Sequence, residues 1–260
     1  MTNMSMTKAD KLRVASLSEL ETLAGWFELK YGTTIIIFGG WAVYSYNPYQ
    51  GSFDIDCVGP RSPFFEQLTV YMDSHGFVLE PKDELGLTEY YVKHVEEENE
   101  TVGEVHIDAC SFADENFFVE DYNKKLPYGL CSYPDCVTRR QMGSIYARVP
   151  IKELLFLYKL KALRDRMWRI SNETLSSEDR VFIQGKIAKD KTDLLALLDP
   201  DNGPLEPGRT IEFIKDLDLQ FVISTIKDLP HQHNAISNYG KSREDVESWT
   251  DKMLLDMGVV

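Results

Sequence analysis

The chain has 260 residues, of which 43% are hydrophobic and 12% aromatic, enough to bury a sizeable core that divides most naturally over two domains. Its formal net charge of −14 argues against a general nucleic-acid coat protein, because binding along phosphates needs concentrated Lys and Arg. No apolar run reaches the length of a membrane span, Met1 to Leu12 is polar, and the cysteines show no Cys-x-x-Cys spacing, so the reading expects a reduced, cytoplasmic protein with no membrane partner.

In chain order, Ser16-Leu17-Ser18-Glu19 reads as a capping box that starts a helix through Leu20, Leu23, Trp26 and Phe27 toward Tyr31. Thr33 to Phe38 is β-branched and apolar, as a buried strand requires, and it ends directly at Gly39-Gly40. Glycines at a strand-to-helix turn let the backbone approach a phosphate, and the next helix start offers free N–H donors and a positive dipole end. Gly39 and Gly40 are therefore candidate phosphate contacts. Residues Ser52 to Val58 alternate, with Phe53, Ile55 and Cys57 on one face and Ser52, Asp54 and Asp56 on the other. Carboxylates at i and i+2 stand roughly 6.5 Å apart on a strand, a reach that suits one or two divalent ions carrying a triphosphate.

Ser62 begins a second helix through Phe64, Phe65, Leu68, Val70 and Met72, ended by Gly76, and Phe77 to Leu79 reads as a strand. An acidic turn at Glu96 to Glu100 joins Glu89–Val95 to Thr101–Cys110 as a hairpin. In its second arm Val105, Ile107 and Ala109 face the core while Glu104, His106 and Asp108 face away, which makes Asp108 the third carboxylate, beside the strand of Asp54 and Asp56. Cys57 and Cys110 read as packed thiols. Cys131 and Cys136 lie in a loop with no histidine nearby, which argues against zinc.

Ser144 to Val149 reads as a further strand, and Pro150 marks the passage from a first domain, residues 1–149, into a helical one, residues 150–260. A long helix runs to about Ile170 and a second from Asp179 to Leu198, ended by Pro200. In the first, Leu155, Tyr158 and Ala162 share a packing face with Lys159 and Arg166, whose charges either meet anions, phosphates or the aspartates above, or snorkel to water at the edge of the face. Asp193 reads as a base or as an ion-pair partner of Lys159, and Asp190 as a charge near Lys186 on an exposed face. Residues 201–210 read as a linker, and the tail from Ile211 to Val260 shows helical spacing. Arg139 to Lys191 holds 13 Lys+Arg against 6 Asp+Glu, a local +7 that leaves −21 on the remainder. Such a segment is a candidate track for a polyanionic acceptor, or a solvated helix face.

Gly39-Gly40-x-Ala42, Ser52-x-Asp54-Ile55-Asp56 and Asp108, taken together, resemble the DNA-polymerase-beta-type nucleotidyltransferase superfamily. Lys152 to Arg166 with Lys189 to Leu194 is further similar to its AbiEii group, the abortive-infection and MenT-type toxins. The resemblance implies an α+β fold, a mixed sheet flanked by helices and followed by a helical C-terminal domain. It also implies Mg²⁺- or Mn²⁺-dependent transfer of a nucleotidyl group from a nucleoside triphosphate, with pyrophosphate released. Asp54, Asp56 and Asp108 would be the metal ligands, Gly39, Gly40, Ser52, Lys159 and Arg166 the nucleotide contacts, and Lys159 and Asp193 catalytic partners of the aspartates. RNA, at a tRNA 3′ end, is the acceptor it favours, within a toxin–antitoxin pair that would make an antitoxin protein the partner. The alternatives are a small aminoglycoside-like acceptor and a nucleotide-binding module without transfer. The chain departs from many relatives in having Trp41 where they have a small hydroxyl residue, and Gln50-Gly51 where they carry a basic one.

Overall fold

The computed structural model describes residues 6–32, 35–80, 89–97 and 100–259, the side chains of Glu97 and Glu100 excepted. The chain forms two compact units, one of residues 1–114 with 128–150 and one of residues 115–127 with 151–260.

The first unit opens with helix α1 (Lys8–Tyr31), followed by strand β1 (Ile36–Phe38), helix α2 (Gly39–Tyr46), strand β2 (Asp54–Gly59), helix α3 (Arg61–His75), and strands β3 (Val78–Leu79), β4 (Glu89–Glu97) and β5 (Glu100–Ser111). Helix α1 starts eight residues earlier than Ser16, because Thr7 and Asp10 form the capping box: Thr7 Oγ1 accepts from the Asp10 N–H at 3.1 Å. Ser16 is instead buried in mid-helix. Of the strand expected from Thr33, only Ile36 to Phe38 is paired, and Thr33 and Thr34 lie outside the described residues. The acidic turn likewise falls partly outside them, at residues 98 and 99.

Two further strands complete the sheet. After β6 (Phe117–Phe118) and β7 (Asp121–Lys125), which form a two-stranded ribbon of the second unit, β8 (Val137–Met142) and β9 (Ile145–Pro150) return to the first. The seven-stranded sheet runs β3-β4-β5-β2-β1-β9-β8 and is mixed: β2 is parallel to β5 and β1 to β9, and the remaining pairs are antiparallel. Alternation decides its faces. Ile55, Cys57, Val105, Ile107 and Ala109 are completely buried, together with Leu20 and Leu23 of α1, while the aspartates point from the opposite face. Lys93, directly opposite Val105 and so on the same face, pairs with Glu19 of α1, which places α1 on the apolar face.

The second unit is helical apart from the ribbon: α4 (Lys152–Asn172), α5 (Ser177–Leu198), α6 (Pro207–Asp216), α7 (Ile223–Lys227), α8 (His233–Tyr239) and α9 (Arg243–Asp256). Helix α5 begins where Ser176 Oγ accepts from the Asp179 N–H. The expected linker is shorter than residues 201–210, since a 3₁₀ turn covers Pro200–Asn202 and α6 begins at Pro207, a residue suited to the first turn of a helix. Leu154 to Leu157 of α4, Leu194 to Leu197 of α5, Ile214, Ile226 and Val246 form its core. The architecture is α+β, a mixed sheet flanked by helices and a helical C-terminal region. No described helix is long and apolar enough to cross a membrane.

Candidate functional site

The site is built outward from the turn between β1 and α2. Phe38 is opposite Asp56 in the antiparallel β1–β2 pair, so the residue after Phe38 emerges beside the Asp56 side chain. That residue is Gly39, in the left-handed region at φ 66°. A Cβ on it would lie 1.8 Å from Asp56 Oδ2, so the carboxylate fills the space that any other residue would need. Gly40 follows, buried in the first turn of α2, where backbone N–H groups lack helical partners.

The parallel β2–β5 pairing then aligns Asp54 with His106 and Asp56 with Asp108, and the β4–β5 pairing sets Tyr90 opposite Asp108. Three carboxylates, a histidine and a tyrosine thus share one face of three neighbouring strands. His106 Nδ1 lies 3.6 Å from Asp54 Oδ1 and 2.7 Å from Tyr90 Oη, while Nε2 is 3.2 Å from Glu104 Oε2. His94 Nδ1, on the exposed margin, approaches Glu104 Oε1 at 3.2 Å. The Tyr90 phenol is pushed well above its usual range, first by burial and then by the charges of Asp108 and Asp54, so it remains an O–H donor at neutral pH. The sequence assigns no role to Tyr90 or His106; the alternation that singles out Asp108 includes His106, whereas Tyr90 reaches this face only through the β4–β5 register.

Ser52 is buried just ahead of this face. Trp41 points away from it: the indole is 2% exposed, and its Nε1 donates to Ser16 Oγ at 3.0 Å. A Cβ on Gly51 would meet the Trp41 ring at 2.9 Å. Trp41 and Gly51 are therefore one packing unit, a large ring in the core and the glycine that makes room for it.

Lys159, Arg166 and Asp193 belong to the second unit, where α4 packs on α5. Lys159 Nζ pairs with Asp193 Oδ2 at 2.6 Å and Asp190 Oδ1 at 3.5 Å, and Arg166 bonds Asp190 Oδ2. Asp190 is not the exposed charge expected beside Lys186. It is 3% exposed, because residues 190–198 of α5 are buried almost without a break. The basic stretch is extensively neutralised within this unit: Lys161 meets Asp165, Arg169 meets Glu173 at 2.9 Å, and Arg164 grips Glu120 with two N–H groups. His231 and His233 are exposed, and Cys57, Cys110, Cys131 and Cys136 are buried and not joined by disulfides.

Among the described residues no group of three or more His, Cys, Asp or Glu side chains is placed to hold a metal ion by itself. The donor set nevertheless fits a divalent ion that arrives with a triphosphate, because such ions take one or two protein carboxylates and complete their shell with phosphate oxygens and water. Asp54, Asp56 and Asp108 are the carboxylates that would hold it, and the Cβ-free backbone at Gly39 leaves room for Asp56.

No family model matches the chain, and no curated protein matches it. The fold is similar to the crystal structure of an antigenic nucleotidyltransferase-like protein from Paracoccidioides brasiliensis, with a TM-score of 0.51 and 14% identity over 88% of this chain and 95% of that one. The chain therefore has a nucleotidyltransferase-like fold.

Proposed function

We propose that the chain is a metal-dependent nucleotidyltransferase that moves a nucleotidyl group from a nucleoside triphosphate to an acceptor hydroxyl and releases pyrophosphate. The observation that carries this is the left-handed Gly39 turn closed on the Asp56 carboxylate, with Asp54 two residues before it and Asp108 directly across on β5. The fold it shares with a nucleotidyltransferase-like protein supports the same reading. Gly39, Gly40 and Ser52 contact the triphosphate, and Asp54 and Asp56 hold Mg²⁺ or Mn²⁺. When bound, the metal stabilises charge on the phosphoryl oxygens and acidifies the attacking hydroxyl. Asp108 orients that hydroxyl and takes its proton. Loss of Asp54 should cost several kcal/mol of transition-state stabilisation, on the order of a thousandfold in rate.

The finer reading, an AbiEii- or MenT-type toxin that modifies RNA at a tRNA 3′ end, has an antitoxin as partner, and Lys159, Arg166 and Asp193 serve the nucleotide. It rests on the residues of α4 and α5 quoted above. A cytoplasmic setting follows from the triphosphate substrate. The ion pairs of Lys159, Lys161, Arg164, Arg166 and Arg169 favour the second reading, a small cationic acceptor, because charges already matched to carboxylates contribute little to a phosphate track.

The test is incubation of the protein with Mg²⁺, each of four α-labelled nucleoside triphosphates and either total RNA or an aminoglycoside mixture, beside Asp54→Ala and Asp56→Ala. Label on RNA from the parent alone supports the RNA reading, and label on the small molecule the alternative. Triphosphate binding without transfer to either acceptor refutes the enzyme and leaves a binding module. Transfer undiminished in Asp54→Ala refutes the site.

A further inference from the structure

The carboxylate face carries a histidine that the proposed reaction leaves without a task. His106 is the cross-strand neighbour of Asp54, and its Nδ1 stands 3.6 Å from Asp54 Oδ1. On the far side of the ring, Nε2 is 3.2 Å from Glu104 Oε2. An ionised carboxylate only accepts hydrogen bonds, so this contact assigns the ring hydrogen to Nε2 and leaves Nδ1 as a lone-pair donor. Tyr90 Oη, 2.7 Å away, caps that lone pair. Carboxylate, imidazole N–H and an unprotonated nitrogen near a second carboxylate are the outer and inner parts of a histidine metal ligand, in which the outer carboxylate fixes the tautomer and raises the basicity of the ligating nitrogen.

We propose that His106 Nδ1 is a nitrogen ligand at the Asp54 metal position, oriented by Glu104, and that it biases this position toward first-row transition ions over Mg²⁺. The inference rests on Asp54 being a metal ligand, as proposed above. Two donors about 2.0–2.2 Å from one ion stand roughly 3–3.5 Å apart, so the observed separation closes with a small side-chain rotation. These are two donors rather than a protein cage, and triphosphate oxygens and water complete the shell. Carboxylate oxygen serves Mg²⁺ and Mn²⁺ well, whereas an imidazole nitrogen adds affinity for Co²⁺ and Zn²⁺. Tyr90 acts against the metal, since its hydroxyl must release Nδ1 before the ion binds.

The experiment is calorimetric titration of the full chain with Mg²⁺ and with Co²⁺ in the presence of inorganic tripolyphosphate, with the Co²⁺ visible absorption recorded in parallel. His106→Ala should weaken Co²⁺ binding about 10–100-fold while changing Mg²⁺ binding less than about threefold, and should alter the Co²⁺ spectrum. Glu104→Gln, at a partly exposed residue whose replacement leaves the core intact, should weaken Co²⁺ about tenfold by removing the outer partner. Tyr90→Phe should have the opposite sign and tighten it. Equal weakening of both ions in His106→Ala, or an unchanged Co²⁺ spectrum, overturns the inference. If Asp54→Ala abolishes binding of both ions and His106→Ala affects neither, the nitrogen ligand falls and the carboxylate site stands. If Asp54→Ala also leaves both unchanged, both readings fall.

Discussion

Gly39→Ala puts the central contact of the site to the test with a single methyl group. The added Cβ would sit 1.8 Å from Asp56 Oδ2 and 2.5 Å from its Cγ, so the carboxylate must leave its position. The backbone also resists, because φ at 66° costs a residue with a Cβ about 1–2 kcal/mol. At roughly 2–4 °C per kcal/mol for a chain of this size, the backbone strain alone lowers Tm by about 2–8 °C. The displaced carboxylate should cost more in function than in stability, since a misplacement of about 1 Å at a reacting centre lowers rates on the order of a hundredfold. Gly25→Ala is the control: no atom lies within 4 Å of its added Cβ, and in mid-helix the change should stabilise by about 0.4–1 kcal/mol. Thermal melts, tripolyphosphate titrations and transfer assays are made on Gly39→Ala, Asp56→Ala and the double variant. The clash with Oδ2 and Cγ should disappear in the Asp56→Ala background, leaving backbone strain and a 3.0 Å contact with the Cβ of residue 56, so the two changes should be strongly non-additive. Gly39→Ala with the melting temperature and metal-triphosphate affinity of the parent would refute the reasoning.

Further outcomes follow from the packing. Lys159→Met removes the cation set between Asp190 and Asp193 inside the second unit, leaving Arg166 on Asp190, and should cost about 3–5 kcal/mol in denaturant titration. A loss below about 1 kcal/mol would show that the pair is not needed there. Ser16→Ala removes the acceptor of the Trp41 indole N–H and should cost about 1–3 kcal/mol, whereas Ser18→Ala, exposed in the middle of the same helix, should cost far less. Burial pushes the Cys57 and Cys110 thiols and the Tyr128 phenol above their ordinary values. A raised folded value means that the unfolded chain releases its protons first, so the stability these groups contribute is full at neutral pH and declines as pH rises past about 8.5, the ordinary thiol value. Denaturant midpoints that stay constant from pH 7 to pH 10 would contradict this. At pH 8 native thiols should alkylate slowly, and all four cysteines rapidly in denaturant.

The local patterns were legible in the sequence. Period-two alternation placed Asp54 and Asp56 on one face and Asp108 on another strand with the same sense, an apolar run stopped at Gly39, and α4 and α5 showed their extents by periodicity and end signals, because each depends on neighbours a few residues away. The early start of α1 was also local, but Ser16–Glu19 offered a competing capping box of the same form as Thr7–Asp10. Strand β8, by contrast, carries Arg139, Arg140 and Gln141, a polar run that only pairing with β9 makes a strand.

What only the tertiary structure decided is every relation that spans the chain. The registers Phe38 to Asp56 and Asp56 to Asp108 convert a glycine and two carboxylates into one constellation, and no periodicity within a strand specifies its register against another. The same holds for Trp41 turning to Ser16, for Asp190 meeting Lys159 and Arg166, and for residues 115–127 joining the second unit. In each case the sequence shows a side chain's chemistry and the face it takes locally. Whether a charge or a ring ends in water, in the core or against a partner depends on which distant surface covers that face.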